Sequence, residues 1–248
     1  MHPIILKIGP VVIYSYGLML ALGFAIAVYL VRRRAEIEGI KSSVIVDLCF
    51  CIIVTGIIGA RLLYVFENYD YYLKNPLEIP MINKGGLILY GGIILASVTT
   101  IIFVKVRSLH LWKVADLLMP YVAFGQAIGR IGCLLNGCCY GKPTAGLFGV
   151  NMPGHYTKIH PTQLFESVAM LFIFFALLLL RKRKKYDGQI FFYYVIFYSI
   201  IRFLIEFLRG DNQVVFLALT LSQIISLLLL FSAFIAMPIV ASRKVKDR

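Results

Sequence analysis

Apolar residues along this chain gather into runs near the twenty or so that cross a bilayer as a helix, with short clusters of charge, glycine and proline between them. Seven such runs stand out, at roughly Val11–Val31, Val44–Val65, Leu87–Val104, Val114–Ile128, Leu164–Leu180, Ile190–Leu208 and Val214–Val240. The fourth is the weakest, because Asp116, Pro120 and Gln126 interrupt it and Arg130 follows it. The pattern predicts an all-α integral membrane protein of about seven transmembrane helices, a single polytopic domain over residues 1–248. The longest stretch outside the runs, about residues 130–163, is long enough for a loop to carry a function.

Composition narrows the class. With 60% hydrophobic side chains in 248 residues and a mean hydropathy of +0.85, the chain is more apolar than a water-soluble globular domain, which excludes a soluble enzyme. The net charge of +13 suggests nucleic acid, but the basic residues sit in short clusters between apolar runs, not on one face of a soluble fold, so no nucleic-acid partner is expected. They set topology instead. The loops after the first, third and fifth runs, with the C-terminus, hold 16 Lys and Arg, against 6 on the alternate side. The positive-inside rule then predicts an outer N-terminus and a cytoplasmic C-terminus, and the alternation requires the fourth run to span. Arg32, Arg33 and Arg34 follow the first run instead of preceding it, so no cleavable signal peptide is expected.

The informative charges in and at the ends of the runs are Arg61, Arg130, Arg202, Glu206 and Asp116. Arg61 lies about 17 residues past the start of its run, roughly 26 Å along a helix, and the predicted orientation puts it in the outer half. Arg202 falls near the midplane, with Glu206 and Arg209 further out, and Arg130 closes the fourth run at its outer end. Three arginines from three helices therefore converge on the outer leaflet, where planar guanidinium groups suit a phospholipid phosphate. The structural alternative is snorkelling at span ends, with Arg202 and Glu206 neutralising each other at i, i+4.

Arg130 also sits in the segment Gly129-Arg130-Ile131-Gly132-Cys133-Leu134-Leu135-Asn136-Gly137-Cys138-Cys139-Tyr140-Gly141, whose glycines predict a tightly turning backbone able to cradle an anion, or a simple helix-to-loop turn. Cys133, Cys138 and Cys139, with His155 and His160, bring a metal to mind. Their spacing is not C-x-x-C and adjacent cysteines seldom chelate one ion, so no metal is expected; a disulfide from Cys133 to one of the pair is the other option. Cys49 and Cys51 read as small apolar residues. Pro161 suits a first helical turn, which sets His160 at the mouth of the fifth run and Glu166 about one turn inside, as cap and dipole partner or as catalytic groups. Two glycine pairs bracket Tyr90 after Lys84, and Tyr14 and Tyr16 start the first run as site residues or an interfacial belt.

Taken together, these segments resemble the prolipoprotein diacylglyceryl transferases over essentially the whole chain. The resemblance rests on Gly59-Ala60-Arg61-Leu62, the glycines around Tyr90, Gly129-Arg130-Ile131-Gly132 with Asn136, Gly137 and Gly141, His160-Pro161-Thr162-Gln163 with Glu166, and Arg202-Phe203 with Glu206 and Arg209. It implies transfer of the diacylglyceryl group of phosphatidylglycerol to the lipobox cysteine thiol of a preprolipoprotein signal peptide, in a multi-pass protein of the bacterial plasma (inner) membrane in contact with membrane lipids. The site it implies has Tyr16, Tyr90, Arg130 and Arg202 as catalytic residues. Arg61, Arg130, Asn136, Gly137, His160, Gln163, Glu166, Glu206 and Arg209 would bind substrate, with no cofactor. Two departures accompany the match: the family's His-Gly-Gly-Leu element reads Tyr90-Gly91-Gly92-Ile93 here, and Cys133 and Cys138 stand where Asn and Glu are expected. Intramembrane arginines also serve an anionic lipid or metabolite transporter or flippase, the rival class; a transporter favours charges through both leaflets, whereas these stay on one side. A non-catalytic scaffold, the third class, gives the arginines no reason to gather.

Overall fold

The computed structural model describes residues 2–246 apart from 9, 10, 83, 84, 155, 211, 213 and 217. Lys84 and Arg248, counted in the charge balance, lie outside the described residues, as do the side chains of Arg243, Lys244 and Lys246. Among the described residues, seven helices are long and apolar enough to cross a membrane: α1 (Ser15–Ile37), α2 (Ser42–Glu67), α4 (Leu89–Val106), α5 (Leu111–Asn136), α6 (Thr162–Arg181), α7 (Gln189–Glu206) and α8 (Leu221–Lys246). A short α3 (Tyr69–Lys74) and a 3-10 turn (Pro76–Glu78) follow α2. Large apolar side chains such as Phe172, Phe175, Phe231 and Ile102 are exposed along these helices. Water does not tolerate so much bare apolar surface and hydrocarbon does, so the protein is an integral membrane protein.

The structure corrects the ends of three runs. Residues Val11–Tyr14 extend as strand β2, paired antiparallel with β1 (Ile4–Ile8), and α1 begins only at Ser15. The buried Ser15 hydroxyl donates to the His2 and Pro3 carbonyls at 2.6 and 3.0 Å, tying the hairpin to the helix. Likewise the last run opens with a small hairpin, β3 (Val214–Phe216) against β4 (Leu219–Thr220), before α8. The weak fourth run is the largest surprise: α5 has 26 residues, keeps Pro120 inside it and continues through Gly129 and Gly132 to Asn136. Arg130 therefore does not close the helix; it projects from its last two turns.

The chain forms two compact units, residues 1–31 with 115–248, and residues 32–114. In the smaller unit α2 and α4 meet at glycines. A Cβ on Gly59 would strike the Gly91 carbonyl, and one on Gly91 the Gly59 carbonyl, so the two backbones touch as small residues in membrane helices allow. In the larger unit α6 and α7 pack together, α7 packs on α8, and α1 meets α5 where Gly23 leaves room for Ile128. One end of this unit is fixed by Asp116 of α5. Its buried carboxylate accepts the backbone N–H groups of Gly188 (2.8 Å) and Phe191 (2.9 Å), capping α7 from another helix, and pairs with Lys184 at 3.0 Å. Arg181 at the end of α6 donates to the Asp116 carbonyl at 2.7 Å.

Candidate active site

Toward the other end of α5, α6 and α7, charges on all three helices meet. Glu166, one turn into α6 and buried, is the hub: Arg130 of α5 pairs with its Oε2 at 2.5 Å, and Arg202 of α7 with its Oε1 at 2.8 Å. Arg209, just past α7, reaches the same Oε1 at 3.4 Å. Glu206, one turn after Arg202, pairs with it at 2.9 Å and lies 3.9 Å from Arg209. The other oxygen of Glu206 accepts hydrogen bonds from Thr220 (2.7 Å) and Asn212 (2.5 Å). Ser222 bonds to Arg202 at 3.1 Å.

Among the described residues, three guanidinium groups meet two carboxylates in a largely buried cluster. Isolated charge in a low-dielectric interior is costly, so such a cluster attracts an anion. The side chains differ in access: Arg130 is 24% exposed, Arg202 13% and Arg209 7%, which makes Arg130 the one best placed to meet a ligand. Tyr16 at the start of α1 is exposed and within electrostatic reach of Arg130, and Gly132 packs against its backbone.

The segment after α5 is held as a built wall. Asn136 ends the helix and Gly137, with φ +79°, turns the chain, its N–H bonding back to the Cys133 carbonyl. Gly141 donates its N–H to the His160 carbonyl, the His160 N–H bonds to the Lys142 carbonyl, and a Cβ on Gly141 would collide with His160 and the Leu208 carbonyl. Thr162 and Gln163, at the start of α6, donate to the carbonyls of Cys139 (2.9 Å) and Cys138 (2.6 Å). Gln163 thus positions this loop, and His160 is part of its backbone pairing. All five cysteines are free, and Cys133, Cys138 and Cys139 place their sulphurs within 4.8 Å of one another despite their irregular spacing.

The remaining expected site residues lie in the smaller unit. Arg61 is 5% exposed, and its guanidinium donates to four loop carbonyls, those of Glu78, Ile79, Gly85 and Gly86, at 2.7 to 3.1 Å. It also lies against the rings of Tyr64 and Tyr72. In this unit Arg61 organises a loop, with Gly86 (φ +79°) leaving space for the Tyr64 ring and Arg61 itself. Tyr90 stands exposed in the first turn of α4. Sequence reasoning missed Ser222, Thr220 and Asn212, which hold Arg202 and Glu206; nothing in their local sequence marks them. It also missed that Glu166 gathers three arginines, although the residue itself stood out.

Residues 3–239 match the family described as prolipoprotein diacylglyceryl transferase. Among similar proteins, one of Clostridium tetani is 36% identical over 92% of this chain and 93% of its own, and one of Finegoldia magna is 37% identical over 89% and 88%. A third, of Bacillus licheniformis, is 35% identical over 100% of this chain and 94% of its own. All three carry the name phosphatidylglycerol-prolipoprotein diacylglyceryl transferase. With a family match over residues 3–239 and relatives 35 to 37% identical over most of the chain, the chain belongs to the prolipoprotein diacylglyceryl transferase family.

Proposed function

We propose that this chain transfers the diacylglyceryl group of phosphatidylglycerol to the lipobox cysteine thiol of preprolipoprotein signal peptides, at the outer face of a bacterial plasma membrane. The reading is carried by one observation, the buried gathering of Arg130, Arg202 and Arg209 around Glu166, whose most accessible arginine is Arg130. A phosphodiester in a membrane lipid carries a negative charge that such arginines attract, and the names of the similar proteins give phosphatidylglycerol and prolipoprotein as substrates.

In the proposed chemistry the acceptor sulphur attacks the glyceryl carbon next to the phosphate. The carbon–oxygen bond breaks, its electron pair stays on the phosphate oxygen, and a thioether and glycerol 1-phosphate result. Charge grows on the departing phosphate, so donors fixed in advance around it lower the barrier. Arg130 binds the phosphate with its planar fork, and Arg202, held between Glu166, Glu206 and Ser222, stabilises the same group from a second side. The thiol proton ends on the departing phosphate, and Tyr90, in place of the family histidine, relays it by giving up its own hydroxyl proton as it accepts that of the thiol; Tyr16 borders the phosphate subsite, and Arg61 keeps its loop in place beside Tyr64 and Tyr72.

The test is mass spectrometry of a lipobox peptide incubated with the purified protein in phosphatidylglycerol vesicles. A diacylglyceryl thioether with equimolar glycerol 1-phosphate is expected. Movement of phosphatidylglycerol between leaflets with no adduct would overturn the reading in favour of a transporter.

A further inference from the structure

Outside the arginine and glutamate cluster, the larger unit contains a second group of chemistry-bearing side chains. Cys133 lies on the last turn of α5 and is buried; Cys138 and Cys139 follow the Gly137 turn and are half-buried. The Sγ atoms of Cys138 and Cys139 are 3.5 Å apart, and all three sulphurs fall within 4.8 Å. Cys139 takes a left-handed backbone conformation at φ +64°, unfavourable for a side chain other than Asn, Asp or Gly, and this turns its thiol back toward the other two. Thr162 and Gln163 grip the carbonyls of both residues from α6, so the arrangement is held from outside the segment itself.

The irregular spacing therefore does not keep the three sulphurs apart. A zinc–thiolate bond is about 2.3 Å, so two sulphurs on a tetrahedral zinc sit about 3.8 Å apart. Three sulphurs already within 4.8 Å need to shift by only about 1 Å or less to meet that geometry. The donor set is all sulphur, which excludes Mg2+ and Ca2+ and suits a borderline-soft d10 ion. Arg130 lies within electrostatic reach of Cys133 and Cys139, and its charge favours an anionic metal–thiolate group beside it.

We propose that Cys133, Cys138 and Cys139 form a three-thiolate binding site for Zn2+, with a fourth coordination position left to water or an incoming thiol. Three protein ligands with an open position is the arrangement of reactive rather than purely structural zinc. The site stands on this geometry and does not depend on the transferase reading.

The experiment uses the full chain purified in detergent under a phosphine reductant, loaded with Zn2+ and freed of excess by gel filtration. Elemental analysis should find about one zinc per chain, and Co2+ loading should give thiolate-to-metal charge-transfer absorption with the intense d–d bands of tetrahedral cobalt. Cys133→Ser and Cys139→Ser should each lower retained zinc by about tenfold, while Cys49→Ser/Cys51→Ser leaves it unchanged. The unsubstituted chain supplies a readout that needs no variant: zinc should protect Cys133, Cys138 and Cys139, but not Cys51, from maleimide alkylation mapped by peptide mass spectrometry. Zinc below about one-tenth per chain, zinc retained after all three serines are introduced, or alkylation unchanged by zinc would each overturn the site. None of these measurements uses transfer activity, so failure of the proposed reaction and failure of the metal site are read separately.

Discussion

Replacing Glu166 by Gln removes one negative charge and leaves the shape nearly unchanged, which makes it the sharpest probe of the cluster. Of the two carboxylates only Glu206 then faces the three guanidinium groups, and the positive charge of the cluster rises by one in a site where the Glu166 side chain is only 6% exposed. Breaking a buried ion pair by removing one partner costs about 3 to 5 kcal/mol, most of it from the charge left behind. Glu166→Gln strands parts of three pairs, at 2.5, 2.8 and 3.4 Å, so the upper end of that range is expected. Arg209 is the least accessible arginine and the one most loosely paired with Glu166, so Glu166→Gln/Arg209→Met returns the net charge to that of the parent. That double variant should recover at least half of the lost stability, because the penalty is uncompensated charge more than lost contact. Unfolding in detergent, followed by circular dichroism against denaturant, measures both. A Glu166→Gln protein within about 0.5 kcal/mol of the parent would refute the argument, since it would mean the arginines are solvated and independent.

Arg130→Lys retains the charge and loses the fork, so transfer should fall by roughly ten- to a hundredfold, about 1.4 to 2.7 kcal/mol of barrier, with normal folding; near-normal turnover would demote Arg130 to a charge that sets topology. Tyr90→Phe should reduce turnover more than His160→Ala, because the described role of His160 is in the backbone pairing of a loop; steady-state rates with a lipobox peptide decide between them. Lys184 lies in the loop between α6 and α7. Burial alone would pull its ammonium group's pKa down, but Asp187 and Asp116 outweigh burial and hold it above the ordinary lysine value. A raised folded-state value means the stabilisation is complete below the unfolded lysine value, near pH 10.4, and is lost as pH climbs through the folded one. Thermal unfolding in detergent should show an alkaline loss of stability that Lys184→Met flattens, and an unchanged alkaline limb in that variant would disprove the assignment.

Much of this was legible in the sequence, for reasons that also explain the gaps. A bilayer demands long apolar helices, so run length locates six of the seven, and the fourth, broken by Asp116, Pro120 and Gln126, is kept by the alternation of basic loops. Hydropathy cannot separate a β-branched strand from a helix, which is why Val11-Val12-Ile13-Tyr14 reads as part of the first span although it pairs with Ile4–Ile8. Gly129 and Gly132 read as a turn because propensity is a local quantity; helix packing against Tyr16 and Met19 overrides it. Arg130, Arg202 and Glu206 were legible as charges out of place in hydrocarbon, and Glu166 as a group at a helix mouth, but the joining of three arginines at the Glu166 carboxylate is a fact of three helices and no single one. Arg61 shows the converse. Its charge stood out equally, yet its donors serve the carbonyls of Glu78, Ile79, Gly85 and Gly86, and no local pattern could have named those partners.

The anchor at Asp116 turns two helices into matched rulers. The interval from Asp116 to Arg130 along α5 is 14 residues, and that from Gly188, which Asp116 caps, to Arg202 is also 14. At 1.5 Å per residue each spans roughly 21 Å, and the two arginines arrive level at Glu166. Length, then, and not only residue identity, sets the register of the site. One residue inserted into α7 between Gly188 and Arg202 would displace Arg202 by about 1.5 Å and swing it about 100° around the helix, away from Glu166, without touching any charged residue. Insertion of a whole turn of helix would restore the bearing but overshoot by about 5.4 Å, so neither lengthened protein should retain transfer even though both keep every charged residue of the cluster.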